Sequence, residues 1–256
     1  MMTDVRRTAV PPGGLAVWAL GQSGFLLRAS RGPVVCIDPC LADPVAKVDP
    51  RFSRLYPAPI EPEALACDVL IVTHNHLDHL DPDTVGRLAP EAVGSFVGPG
   101  NACRHLAALG VGQGRIHRLD ASQSLTLPGL QVTGTLAVTN DPSQPDAEGV
   151  LVRFEDGTAM YHTGDTAFSP LLAHVAKHEP DLYMPCINGR YGNMDAFEAA
   201  VLGAVLRSRW AVPHHFDMFR DNLADPARFA TAMAELAPQT QCVALKPGQM
   251  HLFQRS

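Results

Sequence analysis

Short apolar runs separated by glycine fill the first part of the chain. Residues 15–20 and 25–28 flank Gly21-Gln22-Ser23-Gly24, a pattern that predicts a β-turn-β unit. A third strand is expected over 33–37, ending at Asp38-Pro39. Residues 69–72 are apolar without alternation, as in a strand buried on both faces, and run directly into Thr73-His74. The rhythm then lengthens. A helix is expected over 102–109, and strands over 115–119, 124–127 and 130–137. Residues 150–154 and 159–162 are joined by the acidic turn Glu155-Asp156-Gly157 and predict a hairpin. Beyond it helix and strand alternate: helices over 169–177, 194–207 and 225–236, strands over 182–186, 210–212 and 242–245. Strands first, then strand/helix alternation, imply sheet layers covered by helices. No internal repeat, low-complexity tract or linker divides the chain, so residues 1–256 are expected to form one domain.

Composition narrows the class. Hydrophobic residues make up 46% and charged residues 18%, with 21 glycines and 22 prolines, which fits a globular chain rich in turns. A net charge of -6 and the lack of a basic stripe argue against nucleic acid or an anionic membrane surface as partner. No apolar run is long enough to span a bilayer, and Arg6-Arg7 has no signal-type apolar segment behind it. Six scattered cysteines without a C-x-x-C pair suggest reduced thiols and a cytoplasmic location.

The chemistry concentrates in Thr73-His74-Asn75-His76-Leu77-Asp78-His79-Leu80-Asp81, immediately after the buried strand. Imidazole nitrogen and carboxylate oxygen together suit a divalent ion of the Zn or Mn type. His74 and His76, two apart on an extended turn, can reach one ion from the same side, and Asp78 and His79 face a neighbouring one. A second feature is the loop Asn188-Gly189-Arg190-Tyr191-Gly192-Asn193, between a buried strand and a helix. Its glycines permit close backbone approach. Arg190 offers a forked cation for phosphate or carboxylate, so Asn188, Arg190 and Asn193 are expected to bind substrate. His162 either orients a ligand from behind or is a satisfied core histidine; Asp38 and Asp81 either hold a metal-binding histidine or act as strand-end and helix-cap residues.

The His74–Asp78–His79 motif resembles that of the metallo-β-lactamase superfamily, whose fold is a four-layer αββα sandwich, α/β in class, with a two-metal cleft. Tyr161-His162-Thr163-Gly164-Asp165-Thr166 is similar to the segment carrying the family's bridging carboxylate, which implies that role for Asp165. Val212-Pro213-His214-His215-Phe216-Asp217 resembles the last ligand segment and implies His215. Within the superfamily the chain looks most like L-ascorbate-6-phosphate lactonases and their relatives, through Gly21-Gln22-Ser23-Gly24-Phe25, Ile37-Asp38-Pro39, Ile187-Asn188-Gly189-Arg190 and His215-Phe216-Asp217-Met218-Phe219. Members carry a further histidine where this chain has Thr139, so one ion would keep His74, His76 and Asp165, with Asp141 as the substitute donor or with a single ion bound.

The resemblance implies a hydrolase that opens a small ester or a sugar-derived lactone, phosphorylated or not, with one or two divalent ions as cofactor. Asp78, a ligand with a spare oxygen, is the expected proton carrier. Two other functions fit the same residues: a small phosphodiesterase of the same fold, and a metal-binding module without turnover. The sequence leaves room for a homo-oligomer.

Overall fold

The alternation of side chains along each strand decides how the layers stack. In the computed structural model, which describes residues 1–254, six strands of the first half share one sheet. They are β1 (Leu15–Gly21), β2 (Gly24–Ala29), β3 (Val35–Ile37), β4 (Cys67–Ile71), β5 (Val93–Gly98) and β6 (Ile116–Arg118). The second sheet contains β7 (Ser124–Leu127), β8 (Leu130–Leu136), β9 (Glu148–Phe154), β10 (Ala159–His162), β11 (Leu182–Met184), β12 (Trp210–Ala211) and β13 (Gln241–Cys242), adjacent in chain order. The last strand, β14 (Met250–Phe253), returns to the first sheet and pairs antiparallel with β1. Each sheet is antiparallel in its first hairpins and parallel afterwards, from β3 to β6 and from β10 to β13.

Helices cover the outer faces: α1 (Met2–Arg7), α3 (Pro82–Arg87), α4 (Gly100–Ala108), α5 (Ala196–Leu206) and α6 (Pro226–Leu236), whereas the short α2 (Pro44–Val48) packs Val45 with Cys40, Met218 and Phe219. Between the sheets, Val17, Leu27 and Ile71 of one pack with Val132, Val152 and Met184 of the other. Their strand neighbours Trp18, Leu26 and Leu70 point outward and pack with Val5 of α1, Val85 of α3 and Leu106 of α4. On the far side Leu151, Tyr161 and Tyr183 meet Leu202 and Leu206 of α5 and Phe229 and Met233 of α6. Each such side chain removed from water contributes about 1.5–3 kcal/mol. The result is the four-layer αββα arrangement that the sequence led us to expect.

Local signals set the helix ends. Asp195 and Glu198 form a capping box at the start of α5, and Arg207 closes it in the left-handed region at φ 55. Asp81 is the cap of α3, accepting from the backbone of Asp83 and Thr84. The segment expected as an α-helix over 169–177 is a 3-10 helix, Pro170–His178, whose buried residues Leu172 and Val175 lie three apart, the period of that helix. The strand expected over 242–245 is confined to Gln241–Cys242. Two strands lack a legible pattern: β5 is interrupted by Gly94 and Ser95, and β14 is a half-exposed edge. All six cysteines are free thiols, and no helix among the described residues is long and apolar enough to cross a membrane.

Glu148, at the start of β9, is fully buried, and neither carboxylate oxygen has a hydrogen-bond partner. Burial, reinforced by Asp120 and Asp146, pushes its carboxyl up to about 9. Its unfolded value is near 4.5, so folding takes up a proton between these limits. The stability tied to the neutral form is complete below the unfolded value and is lost as pH rises through the folded one. Glu148→Gln is therefore expected to stabilise the protein by about 2–4 kcal/mol at alkaline pH and to change little at acid pH. Urea unfolding at both ends of that range checks this, and equal effects at the two ends would contradict the burial argument.

Candidate metal centre

The histidine-rich turn lies where β4 leaves the sheet, so its side chains emerge at the carboxyl edge of a rigid parallel ladder. The amides of His79 and Leu80 both bond the His76 carbonyl, which coils the turn and brings His79 back beneath His74. Asp165 reaches the same point from the end of β10. The preceding Gly164 has φ 59, and a Cβ there would sit 2.5 Å from the Glu148 carbonyl oxygen, so glycine is required for this approach. His215 enters beyond β12 with φ 62, and its amide donates to the carbonyl of Gln22, itself at φ 54. Asp38, at the end of β3, has φ 44. Three non-glycine residues in the left-handed region around one cluster are held there by their surroundings, at a cost of about 1–3 kcal/mol each.

The donor atoms converge. Those of His74, His79 and Asp165 lie within 4.8 Å of one another, as do those of Asp78, His79 and His215, so His79 belongs to both groups. His76 falls outside both but presents Nδ1 3.0 Å from His74 Nε2. His215 Nε2 stands 3.1 Å from Asp165 Oδ2 and 3.4 Å from Asp78 Oδ2. His79 Nε2 and Asp165 Oδ1 are 3.3 Å apart, both buried, and neither makes a hydrogen bond. Buried polar atoms are rarely left without a partner. A mixed nitrogen/oxygen donor set with such atoms aimed at one point fits a divalent ion.

Supporting contacts fix the donors. Asp38 Oδ2 accepts from the Thr73 hydroxyl at 2.6 Å and lies 2.7 Å from His79 Nδ1, and Asp38 Oδ1 accepts from the Thr73 amide at 2.8 Å. Asp38 is thus a histidine-orienting carboxylate, whereas Asp81 is a helix cap. Asp141 Oδ2 sits 2.8 Å from His76 Nε2, the ring nitrogen facing away from His74. Asn222 Nδ2 lies 2.9 Å from His215 Nδ1 and is held in turn by Asn188, which donates to Asn222 Oδ1 at 2.6 Å. His162 serves from behind: its Nδ1 accepts from the Gly164 amide at 3.1 Å, its ring stacks on His214 at 4.0 Å, and burial pushes it down to about 4.

Electrostatics give the cluster its character. Burial, with His79 adding to it, pushes His74 down to about 3, which leaves a neutral imidazole. Burial alone would raise the carboxyls of Asp78 and Asp165, but His79 and His215 outweigh it and hold both well below the usual range. In the other direction, burial would lower His79 and His215. Asp165 and Asp78 overcome it, lifting His79 well above the ordinary value and His215 to about 9. The pocket of carboxylates calls for positive charge at its centre.

Above the donors opens a cavity of about 250 Å³ lined by His74, His76, Asp78, Asp165 and His215 together with Thr139 and Asp141. Of the three residues expected to bind substrate, Asn193 lines it and donates to Asp165 Oδ2 at 2.8 Å. Asn188 and Arg190 are not among its lining residues, and Arg190 Nη1 bonds the Asp221 carbonyl at 2.7 Å. Sequence reasoning passed over Gln22, whose Nε2 donates to Asp78 Oδ2 at 2.8 Å and lies 3.0 Å from His215 Nε2. Its place at the tip of the first hairpin was the available signal. Tyr191 and Phe219 lie in segments that the sequence singled out, though not as wall residues, whereas Asn222 and Phe52 left no local signal.

Residues 35–216 match the family model described as "Beta-lactamase superfamily domain". Among curated proteins, a "UPF0173 metal-dependent hydrolase" of Thermofilum pendens is 30% identical over 92% of this chain and 94% of its own length. One of Hyperthermus butylicus is 28% identical over 94% of this chain and 100% of its own. Among solved structures, a metallo hydrolase of the archaeon Ignicoccus hospitalis superposes with a TM-score of 0.73, covering 95% of this chain and 100% of that one; at 23% identity this likeness shows a shared fold.

If Asp38 orients His79 as the distances indicate, Asp38→Asn lowers affinity for a divalent ion about 10–100-fold. Competition with a chromophoric chelator measures this directly, and unchanged affinity would remove Asp38 from the site.

Proposed function

This chain belongs to the metallo-β-lactamase superfamily and its metal-dependent hydrolases, and from that premise we propose that it opens an ester or lactone bond in a small molecule, with Zn or Mn as cofactor. One or two ions would be held by His74, His76, Asp78, His79, Asp165 and His215. The observation that carries this reading is the pair of buried atoms, His79 Nε2 and Asp165 Oδ1, left without hydrogen bonds where Asp165 lines an open cavity. An ion of this class supplies Lewis acidity, polarising a carbonyl and making water a nucleophile at neutral pH.

The chain's own residues do the rest. Asp78, held ionised by His79 and His215 against the effect of burial, is the group we assign to proton transfer towards the leaving oxygen. Gln22 fixes one of its oxygens through the 2.8 Å bond, which leaves the other for the proton. Asn193 restrains Asp165 in the same manner. A cavity of about 250 Å³ admits a small acyl compound rather than a polymer.

Asp165→Ala is expected to lose bound metal on elemental analysis. It should also lose more activity on a lactone panel than the 10–100-fold typical of an outer supporting residue. Full activity with full metal content would end the proposal. Asp78→Asn should retain much of the metal yet lose about 100-fold in kcat. Turnover of bis(4-nitrophenyl) phosphate with none of the lactones would move the assignment to a phosphodiester.

A further inference from the structure

The cavity over the donor cluster has two unlike ends. Its floor is carboxylate and imidazole, whereas one wall is built from Val45, Phe52, Tyr191 and Phe219, and Val138 also lines it. The rings form a continuous set: Phe52 lies 6.0 Å from Tyr191 and 5.8 Å from Phe219, centroid to centroid, and meets Phe219 edge to face. Phe219 is buried, yet Tyr191 is 64% exposed, so an aromatic face is left uncovered beside the cavity. The tyrosine is held there at φ 55, between Gly189 and Gly192, which also have positive φ. A Cβ at Gly192 would lie 2.6 Å from Asn140 Oδ1, so the loop is pressed against the opposite rim.

Charge sharpens the point. Among the described residues lining the cavity there is no lysine or arginine. Arg190, beside Tyr191 in sequence, is engaged with the Asp221 carbonyl instead. A substrate phosphate or carboxylate lodged against this wall would lose its hydration without a cation to replace it. Asp141, which lines the cavity outside both donor groups, would oppose it further. A neutral planar group meets no such penalty and gains ring contact.

Resting on the hydrolase reading, we infer that Phe52, Tyr191 and Phe219 form a specificity subsite for an uncharged substrate that carries an aryl group next to the bond hydrolysed. Phosphorylated sugar lactones are disfavoured by the same wall. The test uses the metal-loaded protein with γ-phenyl-γ-butyrolactone, its γ-methyl counterpart and a phosphorylated sugar lactone, and separately titrates the neutral amide phenylacetamide by calorimetry. The phenyl lactone should exceed the methyl one about tenfold in kcat/KM, with the phosphorylated compound below both. Tyr191→Ala should erase most of that ratio and weaken phenylacetamide binding about tenfold, and Tyr191→Phe should preserve both. Tyr191 is exposed enough for these variants to fold. A preference for the phosphorylated lactone, or turnover with no binding of phenylacetamide, overturns the subsite while leaving the hydrolase intact. Tyrosine-dependent binding of phenylacetamide with no lactone opened upholds the subsite and removes the ester or lactone assignment.

Discussion

Asp38, Asp78 and Asp165 lie close together at the edge of an otherwise apolar sandwich, and carboxylates so placed repel one another unless positive charge joins them. The imidazoles of His79 and His215 are the partners that the fold supplies. Much of the surrounding architecture follows from keeping this cluster together. Asp38 is held by Thr73 and His79, Asp78 through one oxygen by Gln22, and Asp165 through Oδ2 by Asn193 and His215, so each carboxylate has a fixed orientation before any ligand arrives. Preorganisation of this kind lets a site bind and polarise without rearranging.

The backbone carries part of the burden. Gln22, Asp38 and His215 adopt left-handed conformations that L-residues avoid, and Gly164 occupies one that only glycine can fill against the Glu148 carbonyl. These residues end or join strands of both sheets. The packed β-layers can therefore hold them, because moving any one would disturb the hydrophobic interior between the sheets. Strain concentrated at strand ends, on a scaffold too rigid to relax it, gives donor atoms from three separate segments one common target. Glu148 belongs to the same construction: its backbone carbonyl underlies the glycine that positions Asp165.

Recognition is arranged differently from metal holding. The donors are fixed by hydrogen bonds and strand geometry, whereas the cavity wall is built from Val45 of α2 and from segments that follow α2 and β11 and precede α6. Loops on a rigid frame can vary without cost to the core, which is where substrate choice is commonly encoded. Here the rings of Phe52, Tyr191 and Phe219, and the turning away of Arg190, give that wall an apolar and uncharged character.

The alternation of apolar positions was enough to place most strands, and the unbroken run before Thr73 marked a strand buried on both faces. The density of imidazole and carboxylate from His74 to His79 identified the chemistry, because those donors are neighbours in the chain. Local pattern also carried the Gly164-Asp165 turn, once its likeness to a known motif was noticed. Other features were invisible to it. Gln22 meets Asp78 and His215 across 56 and 193 positions, and Asn188 meets Asn222 across 34. Contacts of that range have no periodicity, since they depend on how two sheets close on each other. Asp141 was legible as a candidate ion donor, but only the fold sets it against His76 outside the donor groups, and the closing of the aromatic wall is decided in the same way. Arg190 shows the reverse case: its loop lines the cavity through Tyr191, Gly192 and Asn193, but the direction of its own side chain is set by the carbonyl it finds, and only the folded arrangement supplies that carbonyl.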